Sequence, residues 1–247
     1  MKLLFISILT VLAGKSDTVI YRNADKNVQK SFAVIELFTS EGCSSCPPAD
    51  DAVADIQQEY PDNVYVLSFH VDYWNYLGWK DEFSDASYSA RQERYASSFH
   101  LQSIYTPQVV VNGKKEFVGS DKIKLKNSVD ESFQGIEKND IQLSISAVYN
   151  QHITVHYETN ANNLSVLNIA LVQLKAESDV KRGENRGRKL KHINVVREFK
   201  AIAISKGTGS VEFEFPPGLG KSDCKIVAYV QDKNSLVIAG AAQTAIR

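Results

Sequence analysis

The stretch SFAVIELFTSEGCSSCPPADDAVADIQQEY, residues 31–60, decides the fold. Residues 32–38 are apolar except for Glu36, the pattern of a strand buried on both faces. Ala49, Val53, Ile56 and Tyr60 recur at spacings of four, three and four, which is one face of a helix, and Pro61 ends it. Between strand and helix lie Cys43 and Cys46, two of the three cysteines in the chain. Pro47 and Pro48 follow directly and bias the regular helix to begin at Pro48 or Ala49, leaving Cys43 in the loop before it.

Outward from this unit, NVYVLSFHV predicts a second buried strand over residues 64–71. DYWNYLGWKDEF is an aromatic loop. SDASYSARQERYASSF is helical, with Ser84 or Asp85 as cap and Tyr88, Tyr95 and Phe99 on one face. TPQVVVNGKKEFVG reads as a hairpin around Asn112-Gly113, a pair suited to a type I′ turn. SDKIKLKNSVDESFQGI closes the segment as a helix capped by Ser120 or Asp121. The order β-α-β-α-β-β-α is the minimal thioredoxin arrangement. After Gly135, seven strand-like runs separated by Asn, Gly and Pro turns predict an all-β, sandwich-like domain. The expected fold is thus an α/β thioredoxin-like domain over 31–135 followed by a β-rich domain over 136–247.

The 247 residues hold 28 basic and 29 acidic side chains, so no global field points to nucleic acid. The N-terminus carries Lys2, an apolar run over 3–12 too short to span a bilayer comfortably, and small residues at Val11 and Ala13. This predicts a signal peptide over 1–13 and a polar linker over 14–30, with no membrane span after cleavage. Export to a bacterial periplasm or envelope would let a Cys-x-x-Cys pair stay oxidised.

Three readings of the pair remain open. As a redox centre, Cys43 is the nucleophile, being the one expected to be more exposed, and Cys46 the resolving thiol. Thr106-Pro107, heading the hairpin strand, would then be a cis bond facing the cysteines and presenting an extended substrate. As a metal site, the pair lacks further ligands: Cys224 is remote, and Met1 is the only methionine. No metal or cofactor is expected, and copper(I) binding is the lesser alternative. The third reading is a structural disulfide on a binding module.

Four motifs in order, VIELFTSEGCSSCPPAD, LSFHVDYWNYLGWKDEF, YTPQVVVNG and FVGSD, resemble the thioredoxin-like secreted bacterial proteins of the domain-of-unknown-function family numbered 1223, and VKRGENRGRKLKHINVVREF is similar to its pattern too. The resemblance implies a thioredoxin-like fold, a β-rich C-terminal part and export. It implies no established activity.

Other candidates surround the pair. Glu36 either takes a proton from the resolving thiol or pairs with backbone or an arginine. His70 either tunes a thiolate or is an ordinary strand residue. Tyr73, Trp74 and Trp79 either roof the cysteines as a substrate groove or form a satellite core. The basic run 180–192 is either a solvated hairpin or docks through Glu184 or Arg186. Cys224 reads as a buried, unpaired core residue. The expected function is exported thiol–disulfide exchange with protein or small-molecule thiols and disulfides.

Overall fold

The computed structural model describes residues 31–135, 139–149 and 151–247. The expected signal peptide and linker lie outside the described residues. β1 (Ala33–Thr39) is buried at all seven positions. It pairs in parallel with β2 (Val64–His70) and antiparallel with β3 (Gln108–Val111). α1 (Pro47–Glu59) makes the crossover between the two parallel strands. It starts one or two residues earlier than the prolines suggest, because Cys46 itself adopts helical angles (φ −76°, ψ −40°).

The aromatic loop leaves β2 and leads to α2 (Ala86–Ser98), where the Asp85 side chain accepts from the Ser87 N–H at 2.7 Å. β3 turns into β4 (Lys115–Val118) through Asn112 and Gly113, both at positive φ as a type I′ turn requires. A side chain at Gly113 would also strike the Leu236 carbonyl oxygen, 1.9 Å from an ideal Cβ. α3 (Lys122–Ser132) is capped by Asp121.

The remaining strands are β5 (Ile141–Tyr149), β6 (His152–Thr159), β7 (Ser165–Asp179), β8 (Lys189–Ala203), β9 (Thr208–Glu214), β10 (Cys224–Asp232) and β11 (Ile238–Ala245). They do not form a sandwich of their own. β7, β8, β10 and β11 join the first four strands in one mixed sheet of order β11-β10-β7-β8-β2-β1-β3-β4. The seam is the parallel contact of β2 with β8, where Ser68 faces Val195 and the Ser68 hydroxyl donates to the Ile193 carbonyl at 2.8 Å.

The expected thioredoxin-like domain followed by a separate all-β domain is therefore corrected: among the described residues the fold is mostly β, built on one eight-stranded sheet with three α-helices. The physical reason lies in edge pairing. β2 would be an open edge in a four-stranded sheet, and β8 satisfies it.

Alternation sorts the side chains. Ile35, Leu37, Val64 and Val66 pack with Val53 and Ile56 of α1 and with Leu125 and Val129 of α3. Val34, Phe38, Leu67 and Phe69 point the other way, joining Tyr88 and Tyr95 of α2 and Val172, Val227 and Tyr229 from the C-terminal half. A third core lies between the three-stranded sheet β5-β6-β9 and the β7–β10 region, through Ile153, Val155, Phe213, Leu167, Ile169 and Ile226.

β7 and β8 are longer than their apolar runs predict. The pairing continues through Ala176–His192, Glu177–Lys191 and Asp179–Lys189, with a Glu177–Lys189 ion pair across the ladder. This extension carries the connecting loop, residues 180–188, to the end of β1.

Candidate functional site

The cysteine loop begins where β1 ends. The Cys43 N–H donates to Ser40 O at 3.1 Å and the Cys46 N–H to Cys43 O at 3.2 Å, winding the loop into α1. The Ala49 and Asp50 N–H groups then both donate to Cys46 O. Cys43 and Cys46 are joined as a disulfide with Cα atoms 5.5 Å apart, within the usual span of such bridges. Each cysteine is only 1 % exposed. The expectation that Cys43 is the more exposed is thus corrected; Ser44 and Ser45 are the exposed residues of the loop.

The β7–β8 connection packs on the backbone of this loop. Asn185, wholly buried, donates from Nδ2 to Glu41 O at 2.9 Å and to Cys43 O at 2.8 Å. Its Oδ1 accepts from Arg188 at 2.8 Å. Glu184 Oε2 accepts from the Ser44 N–H at 3.0 Å, which holds its carboxyl below the usual range. Glu184 therefore docks on the first half of the chain, one of the two contacts the sequence suggests for this run. Gly183 (φ 75°) stands where an ideal Cβ would lie 3.8 Å from Gly42 Cα. The run is thus a clamp on the cysteine loop through Glu184 and Asn185, while its Lys181, Arg182, Arg186 and Arg188 stay exposed to solvent.

Both tryptophans of the aromatic loop touch the same segment. Trp74 Cβ lies 3.0 Å from an ideal Cβ on Gly42, and its indole N–H donates to Thr106 Oγ1 at 2.8 Å. The Thr106–Pro107 bond is cis, as the sequence predicts. Trp79 Nε1 donates to Glu41 Oε2 at 2.6 Å. Tyr73 turns towards α2, where its hydroxyl donates to Gln92 Oε1 and burial pushes it up to about 12.

Under the loop, on the α1 side of the sheet, lies a cluster of buried ionisable groups. His70 Nδ1 is 2.7 Å from Asp81 Oδ2, and both side chains are wholly buried. Asp81 also accepts from the Glu41 N–H at 2.9 Å and the Phe83 N–H at 2.9 Å. The Glu41 carboxyl accepts from Trp79 and from the Ser178 hydroxyl. His192 Nδ1 is 3.2 Å from Asp50 Oδ1, and its Nε2 is 3.8 Å from Glu41 Oε1. The two imidazoles meet edge to face, with centroids 4.8 Å apart. His70 Nε2 and His192 Nε2 are the only buried side-chain polar atoms without a hydrogen-bond partner among the described residues.

The electrostatics follow. Burial, and then the Asp81 charge, push the Glu41 carboxyl up. Burial also works to lower His70, but the Asp81 carboxylate outweighs it and the ring lies above its ordinary value. Burial works to raise Asp81, and His70 with two backbone N–H donors brings it below. Although the donor types are right, no group of three or more among the described residues has the arrangement to hold a metal ion.

Glu36 stands apart. It points from β1 to the α2 face, where Arg91 grips it through Nε at 2.6 Å and a terminal nitrogen at 2.8 Å, and Tyr95 OH donates at 2.8 Å. It is the carboxylate of a buried ion pair on the opposite face from α1. Cys224 is buried and unpaired. Sequence reading passed over Glu41, Asp50, Asp81, Asn185 and His192. Glu41 lay within the quoted stretch, but nothing in its spacing shows that residues from five segments converge on it.

Comparison with known proteins places this arrangement. The chain is similar to a protein of Agrobacterium tumefaciens solved by X-ray crystallography: 27 % identity, 89 % of this chain and 96 % of that one covered, TM-score 0.67. Two other matches are a domain of the outer membrane lipoprotein Omp28 from Porphyromonas gingivalis (15 % identity, 46 % and 91 % covered, TM-score 0.32) and a DUF3823 family protein from Bacteroides ovatus (19 %, 44 % and 54 %, TM-score 0.25). No curated protein matches the chain. The family described as "Protein of unknown function (DUF1223)" matches residues 34–231, which take in the cysteine loop, the clamp and the ionisable cluster, and the chain belongs to that family.

Proposed function

We propose that this protein is an exported thiol–disulfide exchange protein whose redox pair is Cys43–Cys46. The observation that carries the reading is the group of buried ionisable side chains, Glu41, Asp50, His70, Asp81 and His192, gathered at the cysteine loop and the start of α1. Burying five such groups is costly; Glu41, His70 and Asp81 are shifted from their ordinary values, and shifted groups gather where protons are moved. A staple needs none of them. Export fits a disulfide that persists and the apolar run at residues 3–12. No helix among the described residues is long and apolar enough to cross a membrane.

In the exchange, a substrate dithiol reduces the pair. One substrate thiolate attacks a sulfur of the bridge; the Cys43–Cys46 bond breaks and a mixed disulfide forms with Cys43. Cys46 leaves as a thiolate and takes up a proton, for which Glu41, in the same loop and held high by burial, is the candidate donor. The second substrate thiol, deprotonated, then attacks the mixed disulfide, releasing oxidised substrate and the Cys43 thiolate. The reverse sequence oxidises the protein. Because both sulfurs are covered, the clamp at 180–188 must lift before attack, and Trp74 and Thr106 form the wall along which an extended substrate would lie.

Burial of both cysteines favours a second reading, a binding module with a structural disulfide. The reduction potential separates the two. Exchange requires a value more oxidising than about −300 mV, since structural bridges fall below it. In addition, Cys46→Ser should trap mixed disulfides through Cys43. A lower potential together with no trapped species would leave the structural reading standing.

A further inference from the structure

Of the described lysines and arginines, only two are buried, Arg91 and Lys225. Arg91 faces Glu36. Lys225, 8 % exposed in β10, faces no carboxylate: its ammonium donates to Gln243 Oε1 at 3.0 Å, and that is its one side-chain partner. An ammonium has three protons to place and is costly to bury without a counterion. Beside it opens a cavity of about 300 Å³ at the end of β10 and β11. One part of the lining is polar and basic, with Lys221, Ser222, Lys225 and Gln243; Leu174 and Ile246 supply apolar wall.

We propose that this cavity binds the carboxylate of a small monocarboxylic acid with a short apolar chain, with Lys225 as the counterion. The charge balance favours an anion. On β7 the neighbours Val172 and Leu174 are uncharged, and on β11 Gln243 and Thr244 are neutral. Lys221 adds a second ammonium. Asp223, on the same turn, has its Oδ2 engaged by the Gly220 N–H at 2.8 Å. Arg197 of β8 lies beyond β7, two strands from Lys225, bonded to Gln173. Burial alone pushes the Lys225 amine down to about 8, so an arriving anion would draw a proton onto it. The site uses no residue of the disulfide region and stands or falls independently of it.

The test is calorimetric titration of the full chain with hexanoate, hexan-1-ol and hexylammonium. Hexanoate should bind at least roughly ten-fold tighter than the alcohol, the scale of a charge-assisted contact, and hexylammonium should not bind. Hexanoate affinity should fall as pH rises through the Lys225 value, with proton uptake at about pH 8 shown by the dependence of heat on buffer ionisation enthalpy. Lys225→Met, which keeps the stem and removes the charge, should abolish the preference for hexanoate. Equal binding of acid and alcohol, no binding of hexanoate, or an unchanged preference in K225M would each overturn the proposal. If K225M does not fold, the acid–alcohol comparison on the unaltered chain still decides it.

Discussion

His70 and Asp81 show how burial sets the pH range over which a single contact stabilises this protein. His70 is raised above 6.5, so its protonated form contributes fully below that value, and the contribution is lost as pH rises through the higher folded value. Asp81 is lowered below 3.8, so its contribution is present above that value and lost as pH falls through the lower folded one. The ion pair therefore stabilises most between 3.8 and 6.5. Glu41, raised by burial, adds a loss that sets in as pH rises above 4.5. Asp81→Asn should cost on the order of 3 kcal/mol at about pH 5.5, where the partner that holds the proton on buried His70 is lost, but about 1 kcal/mol at about pH 9, where the parent pair is already discharged. Urea unfolding at the two pH values checks this; equal losses would contradict it. Asn185→Ala removes the donor to two buried carbonyls and should cost about 2 kcal/mol. It should also speed reduction of the disulfide by dithiothreitol, read by thiol release over time; an unchanged rate would mean that Asn185 does not gate the bridge.

At the scale of elements, the clamp is the part to remove. Its ends are tied by Val180 N–H to Arg188 O at 3.0 Å and Gly187 N–H to Val180 O at 2.8 Å. Replacing residues 181–187 with an Asn-Gly turn should keep the sheet, because the β7–β8 ladder closes below the loop. The disulfide should then be reduced at least roughly ten-fold faster, as expected when access limits exchange. Retained circular dichroism with unchanged kinetics would refute the clamp's role. The elements themselves were mostly legible. The helices begin at Asp85 and Asp121 because each carboxylate accepts from the first turn, and the Asn112-Gly113 hairpin follows from positive φ. The polar extensions of β7 and β8 were not legible, because Glu177 and Lys189 carry no apolar period and are held by a partner strand.

At the scale of the molecule, Arg91 binds the two halves together. From α2 it holds Glu36 of β1 and donates to Tyr229 OH at 2.8 Å and Gln231 Oε1 at 3.2 Å on β10. Arg91→Ala should destabilise by about 3–5 kcal/mol, since Glu36 stays buried and uncompensated. Fluorescence and far-UV circular dichroism should report one coincident transition for the parent chain; two separated transitions, or a loss under about 1 kcal/mol for the variant, would show that the halves are not coupled in this way. By itself the sequence determined the local matters: strand and helix periods, caps, the hairpin, the cysteine spacing and the proline before β3. These depend on residues a few positions apart. Only the tertiary structure decided that both halves share one sheet, that Glu36 belongs to Arg91, and that Asn185 and His192 reach Glu41 and Asp50. Those contacts join residues more than fifty positions apart, and which open strand edge or buried charge finds which partner is settled by packing the whole chain, not by any local pattern.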